Sequence, residues 1–147
     1  MTYRLFQREH PLVVRWTSVE TNDIDEVVAS SIATTRKCGR KLVYAGLQYD
    51  DFVMPDAQRT RALIRGATAL AQHCSHFCVG LCARGVTASL HRSAVRSMLT
   101  LVRISRVGDA GRVFVADSVQ QILEHASAEL PADIGSLRRA IADAGMP

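Results

Sequence analysis

Leu42-Val43-Tyr44-Ala45-Gly46-Leu47-Gln48 is the stretch that decides the fold. It is apolar, contains a β-branched and an aromatic residue, and is followed by a helix-like segment. His76–Ala83 (HFCVGLCA) and Arg112–Ser118 (RVFVADS) repeat the arrangement further along the chain. Runs of this length, separated by helical periodicity, are strands of one sheet covered by helices. The junctions where the chain leaves those strands are where a ligand or partner can approach.

Upstream, Tyr3 to Glu9 alternates apolar and polar residues, and Leu12 to Thr17 does so loosely. The break Glu9-His10-Pro11 between them predicts a β-hairpin, with Pro11 at the break or on an edge because it cannot donate to a ladder. Thr21, Asn22 and Asp23 are candidate N-caps for a helix carrying Ile24, Val27, Val28 and Ile32 at helical spacing. Gly39 closes that helix, with Arg36 and Lys37 at the negative end of its dipole.

Pro55 is expected in the first turn of the next helix, with Asp56 complementing its positive end. That helix turns Ala62, Leu63, Ala67 and Leu70 inward and Arg59, Arg61 and Arg65 outward. Gly66 within it costs about 1 kcal/mol relative to Ala unless close packing needs it. After a turn at Arg84-Gly85, Val86 to Arg103 is a helix with Leu90, Ala94, Met98 and Leu101 on one face, joined by Val95, Leu99 and Val102. Ser105 to Gly111 is a loop. Ser118 and Gln121 fit a capping box opening a helix that stops at Pro131, and Ile134 to Ala144 forms one more short helix or frays.

The expected fold is therefore α/β: an N-terminal hairpin, then alternating helices and strands. It has one mixed four- to five-stranded sheet covered by about four helices. A chain of 147 residues suits one domain. No run approaches the ~20 apolar residues that span a bilayer, and the N-terminus lacks a signal peptide's apolar core. The expected setting is the cytoplasm, without membrane attachment. The net charge of +4 comes mostly from arginine, with Lys37 and Lys41 the only lysines. Few aromatics weaken base stacking, so no nucleic-acid partner is expected.

Cys38, Cys74, Cys78 and Cys82 are read as reduced thiols. His73, Cys74, His76, Cys78 and Cys82 look like a metal cluster, but Cys78 and Cys82 on one strand lie more than about 12 Å apart at ~3.3 Å per residue. Buried structural thiols are the expected reading, with no metal and no cofactor. Asp50 and Asp51, with Asp56 and Asp117 as possible additions, could serve magnesium or phosphotransfer chemistry. Adjacent loop acids are more often solvated turn formers. Arg92, Arg96 and Arg103 share a helical stripe near His91, either a solvated face or a surface for acidic groups. Walker, dinucleotide-binding, nucleophile-elbow and His-Glu-x-x-His motifs are absent from the sequence.

The order of elements resembles the STAS domain, the sulphate-transporter and anti-sigma-factor-antagonist superfamily, over about residues 3–130. Residues 131–147 form a C-terminal helical extension or tail. LVYAGLQYDDFVMPDAQRTRALI holds the place where the family carries a strand, then Asp-Ser-Ser/Thr-Gly opening a helix, and Asp56 matches the aspartate. CVGLCARGVTASLHRSAVRSMLTLVRI and VADSVQQILEHA resemble the following strand-turn-helix and the closing strand-helix. Where switchable members carry phosphoacceptor hydroxyls this chain has Ala57 and Gln58, and Arg59 replaces the glycine. Thr60, about 100° further round the helix, is no simple substitute.

The resemblance implies a non-enzymatic regulatory or protein-interaction domain without catalytic residues. The partner would be a kinase-like anti-sigma factor or another STAS-like domain, with homo-oligomers expected. Binding would centre on Asp56, Gln58, Arg59, Arg61, Arg84, Arg92 and Arg96. The alternatives are a small-ligand or lipid carrier, and a small α/β phosphotransfer or hydrolase-type enzyme using Asp50, Asp51 or a thiol such as Cys78.

Overall fold

The apolar runs become strands and the 3.6-residue periodicities become helices. The computed structural model describes residues 3–7, 11–84, 86–105 and 113–145. The chain runs β1 (Tyr3–Gln7), β2 (Leu12–Trp16), α1 (Thr21–Cys38), β3 (Leu42–Gln48), α2 (Ala57–Gln72), β4 (Cys74–Leu81), α3 (Val86–Ser105), β5 (Val113–Ala116), α4 (Val119–Glu129) and α5 (Ile134–Gly145). The expected hairpin residues Glu9 and His10, the turn residue Gly85, the loop at 106–111 and Arg112 lie outside the described residues, as do the side chains of Leu101, Val102 and Arg103.

The five strands form one mixed sheet in the order β1-β2-β3-β4-β5. β1 pairs antiparallel with β2, and every later neighbour is parallel. A parallel sheet that grows in one direction, with crossovers of one hand, puts its connecting helices on one face. Accordingly α1, α2 and α3 pack on the face carrying Leu12, Val14, Trp16, Tyr44 and Phe77. α4 and α5 close the other face over Val13, Ala45, Leu47, Cys78 and Ala116. The C-terminal segment is thus a built part of the second core, with Leu137, Ala140, Ile141 and Ala144 all buried in α5. Among the described residues no helix is long and apolar enough to cross a membrane.

Three aromatic side chains tie the first face together across strands. The Trp16 indole donates to the Tyr44 hydroxyl at 2.9 Å, and the Tyr44 and Phe77 rings stack with centroids 4.8 Å apart. Burial pushes the Tyr44 hydroxyl well above its ordinary pKa, so it stays protonated.

Several element details differ from the sequence reading. α1 starts at Thr21 with Glu20 at the N-cap, where it makes no side-chain cap; its carboxylate is held by Arg59 instead. α2 starts after Pro55, and Asp56 is its N-cap, a position that needs the acceptor side chain proline lacks. β4 already includes Cys74, and the register skips Ser75 between its pairings with Leu42 and Val43. The buried face of α3 holds Val95 and Leu99, while Leu90 is 74% exposed and Ala94 is also exposed. The sheet contacts the helix about a third of a turn from the stripe that spacing favoured. Gly39 does take the left-handed cap, at φ 68°, and its N–H reaches the Thr35 carbonyl.

Gly66 sits where α2 meets α1. A Cβ there would overlap the Cγ2 methyl of Ile24, whose side chain is buried. Gly66→Ala should therefore destabilise by about 1–3 kcal/mol despite its better helix propensity. Ile24→Leu removes the branch methyl, so the Gly66→Ala penalty should shrink in that background. A urea-melt double-mutant cycle measures the coupling; additive effects would show that this contact does not constrain the position.

Candidate functional site

The loops leaving β2, β3, β4 and β5 gather at the carboxyl edge of the parallel strands, where open α/β sheets bind their ligands. The longest described one, between β3 and α2, is held rigidly. Phe52 is buried, and its N–H bonds the Tyr49 carbonyl. The Val53 N–H bonds the Thr17 carbonyl of the neighbouring loop at 2.8 Å. Asp50 Oδ1 accepts from the Arg84 backbone N–H at 2.6 Å, joining this loop to the one after β4. Asp51 accepts from Arg15 at 3.1 Å. Arg15 also donates to the Ala144 carbonyl of α5 and lies over the Tyr49 ring. Both loop acids are therefore committed to structural bonds.

Asp56 and Arg59 open α2. Asp56 Oδ1 accepts the Arg59 backbone N–H at 2.8 Å, and its Oδ2 accepts from Arg59 Nη1 at 2.6 Å. Arg59 Nε donates to Glu20 at 3.0 Å, so one guanidinium joins the starts of α1 and α2. The backbone N–H of Arg59, followed by its guanidinium charge, holds the Asp56 carboxyl below the ordinary range. Beside this cluster lies a cleft of about 310 Å³. Val19 and Met54 contribute apolar surface to it, Glu20, Asp56 and Arg59 contribute charge, and Val53 stands 64% exposed at it.

The sequence-predicted binding residues divide into two groups. Asp56, Gln58, Arg59 and Arg61 cluster on the first turns of α2, with Gln58 and Arg61 exposed. Arg84 is exposed at the loop after β4. Arg92, partly buried, and Arg96, exposed, also make bonds within the chain. Arg92 Nη2 donates to the Ala83 carbonyl at 2.6 Å, and Arg96 pairs with Asp117 at 2.6 Å. They fasten α3 to the loops after β4 and β5. Glu20, Val19, Val53 and Met54 escaped the sequence reading. The available signal was the apolar pair Val53-Met54 beside Pro55, at a strand's carboxyl end.

The histidine and cysteine group does not assemble. Alternation alone would put Cys74 and Cys78 on one face, but the extra residue Ser75 reverses the parity. Cys74 enters the first core and Cys78 the second. Among the described residues no group of three or more His, Cys, Asp or Glu converges as metal ligands. Burial pushes the Cys78 thiol up to about 12 and the Cys82 thiol up to about 11. A nucleophilic thiolate needs the opposite shift.

No family model matches this chain, and no curated protein or solved structure does either.

The Asp56 cluster has a definite pH signature. A carboxyl depressed in the folded state stabilises it above the ordinary aspartate pKa, and that contribution is lost as pH falls through the folded value. Carboxyl-carbon NMR should find Asp56 titrating below the ordinary range. Arg59→Leu should raise it only part-way, because the backbone N–H is the leading cause. A complete return to the ordinary value would assign the shift to the guanidinium alone.

Proposed function

We propose that this chain is a non-enzymatic docking domain of the STAS type that lacks the phosphorylatable hydroxyl and binds a protein partner at the carboxyl edge of its sheet. The observation that carries the reading is the cleft beside α2: exposed apolar Val53 next to Met54 and Val19, edged by the Glu20–Arg59–Asp56 ion pairs. An apolar centre inside a polar rim is the anatomy of a protein interface. Arg61 and Arg65 are exposed further along the same helix. They favour an acidic partner surface, since arginine forks suit carboxylates.

The loop is already ordered by Phe52, Asp50 and the Thr17–Val53 bond, so docking there costs little ordering entropy. The helix start presents Ala57 and Gln58, neither of which can form a phosphoester. The partner class is a kinase-like anti-sigma factor or a second STAS-like domain, including another copy of this chain, in the cytoplasm.

A photo-crosslinking residue at Val53 should capture a discrete partner in the native host, whereas the same residue at Glu124 on α4 should not. Val53→Ser combined with Arg61→Glu should reduce capture at least about tenfold while leaving the circular dichroism unchanged. Equal capture from both crosslinker positions would place the interface elsewhere. A phosphoester within residues 56–60 in the intact protein would restore the switch that this reading denies.

A further inference from the structure

His76 on β4 and His125 on α4 are distant in sequence, yet their ring centroids lie 6.1 Å apart with 61° between the planes. Both residues are half-buried, so solutes in water reach them. Alternation along β4 puts His76 on the same face as Cys78, the face that α4 covers.

Each ring is held by its surroundings. His125 lies flat on the Phe114 ring, with centroids 4.0 Å apart and 5° between the planes. His76 Nδ1 lies 3.2 Å from Ser75 Oγ. The Ser75 hydroxyl has one proton and donates it to the Leu42 carbonyl at 3.4 Å. Toward the imidazole it therefore acts as an acceptor, which assigns the His76 proton to Nδ1. The neutral ring keeps its lone pair on Nε2. A histidine oriented through one ring nitrogen, with the lone pair on the other, is prepared as a metal ligand.

The spacing suits one shared ion. An imidazole nitrogen binds zinc at about 2.0–2.1 Å, which puts each ring centre ~3.2 Å from the metal and two such centres at most ~6.4 Å apart. The observed 6.1 Å falls inside that reach. Imidazole suits zinc, copper and nickel, whereas magnesium and calcium take oxygen ligands. Among the described residues no third His, Cys, Asp or Glu joins the pair. The other positions then fall to water, which makes the site open and exchangeable, unlike a structural zinc closed by four protein ligands.

We propose that His76 and His125 form a two-histidine site for a borderline divalent metal ion, completed by water. His76 pairs with Val43 near the amino ends of the strands, away from the docking cleft, and the proposal does not depend on that reading.

Zinc ion alone is the probe, added to the purified chain while NMR follows the imidazole nitrogens. His76 Nε2 and one nitrogen of His125 should move together, saturably and with a common midpoint, and magnesium should move neither. His125→Gln should weaken zinc binding at His76 at least about tenfold, since even an outer partner of a metal ligand is worth about 10–100-fold. Cys38 is an exposed thiol and a competing ligand, so Cys38→Ser should leave the midpoint unchanged.

The proposal is overturned if zinc moves only one of the two rings or neither, if the rings have separate midpoints, or if magnesium acts as zinc does. Retained affinity in His125→Gln, or loss of binding in Cys38→Ser, overturns it equally. If His125→Gln fails to fold, the common midpoint of the two rings in the unaltered protein decides alone.

Discussion

Burial of β3 on both faces is the constraint on which the rest of the structure depends. Each of its residues from Leu42 to Gln48 is buried, so neither face of the sheet can be left to water. α1, α2 and α3 cover one side and α4 and α5 the other, which makes the last helix as necessary to the core as the first. The same constraint dictates how polar atoms on the strand are treated. The Tyr44 hydroxyl is acceptable because Trp16 donates to it. Gln48, four residues on and on the same face, ends the strand and keeps 9% exposure there.

A double-faced sheet also explains where the charges went. With both faces apolar, ionic groups collect at the strand ends, and there they brace loops. Arg15 holds Asp51 and α5, Asp50 holds the chain at Arg84, and Arg96 holds Asp117. Arg92 is the costliest of these. Its Nη2 reaches the Ala83 carbonyl, while its buried Nε lies 4.0 Å from Asp117 and finds no hydrogen bond among the described residues. Through the Ala83 carbonyl this partly buried guanidinium braces α3. On α2, by contrast, Arg61 and Arg65 are fully on the surface.

The strands and helices were legible because their signals are local. Continuous apolar runs, the capping pair Ser118–Gln121 and the cap glycine Gly39 each act within a few residues. What was illegible depends on contacts distant in sequence. The parity of Cys74 is reversed by one extra residue in its pairing with β3, and no property of Ser75 announces it. The exposed position of Leu90 follows from which side of α3 the sheet reaches. Glu20 leaves its helix uncapped because its carboxylate is held by an arginine 39 residues away. Gly66 was recognisable as an anomaly, but only the approach of Ile24 explains it. At the candidate site, Asp56, Gln58, Arg59 and Arg61 were readable as a helix opening. The cleft beside them was not, because Val19 and Val53 come from different loops joined by a backbone bond from Val53 to Thr17.

Val19 connects two open spaces in the described part of the chain. It lines the outer cleft beside Asp56 and also an apolar cavity that Gln48 faces, and it is 3% exposed. One side chain therefore forms part of both walls. Two sites influence each other only to the extent that occupying one changes the free energy of the other. Displacement of Val19 provides a physical route for such an effect, because moving it to enlarge the cleft changes the volume of the cavity. The bonds from Thr17 to Val53 and from Arg59 to Glu20 oppose that displacement on either side of it in sequence. Coupling between cleft and cavity must then scale with how far an occupant strains these two bonds. An occupant that leaves Val19 in place leaves the other space unchanged, however tightly it binds.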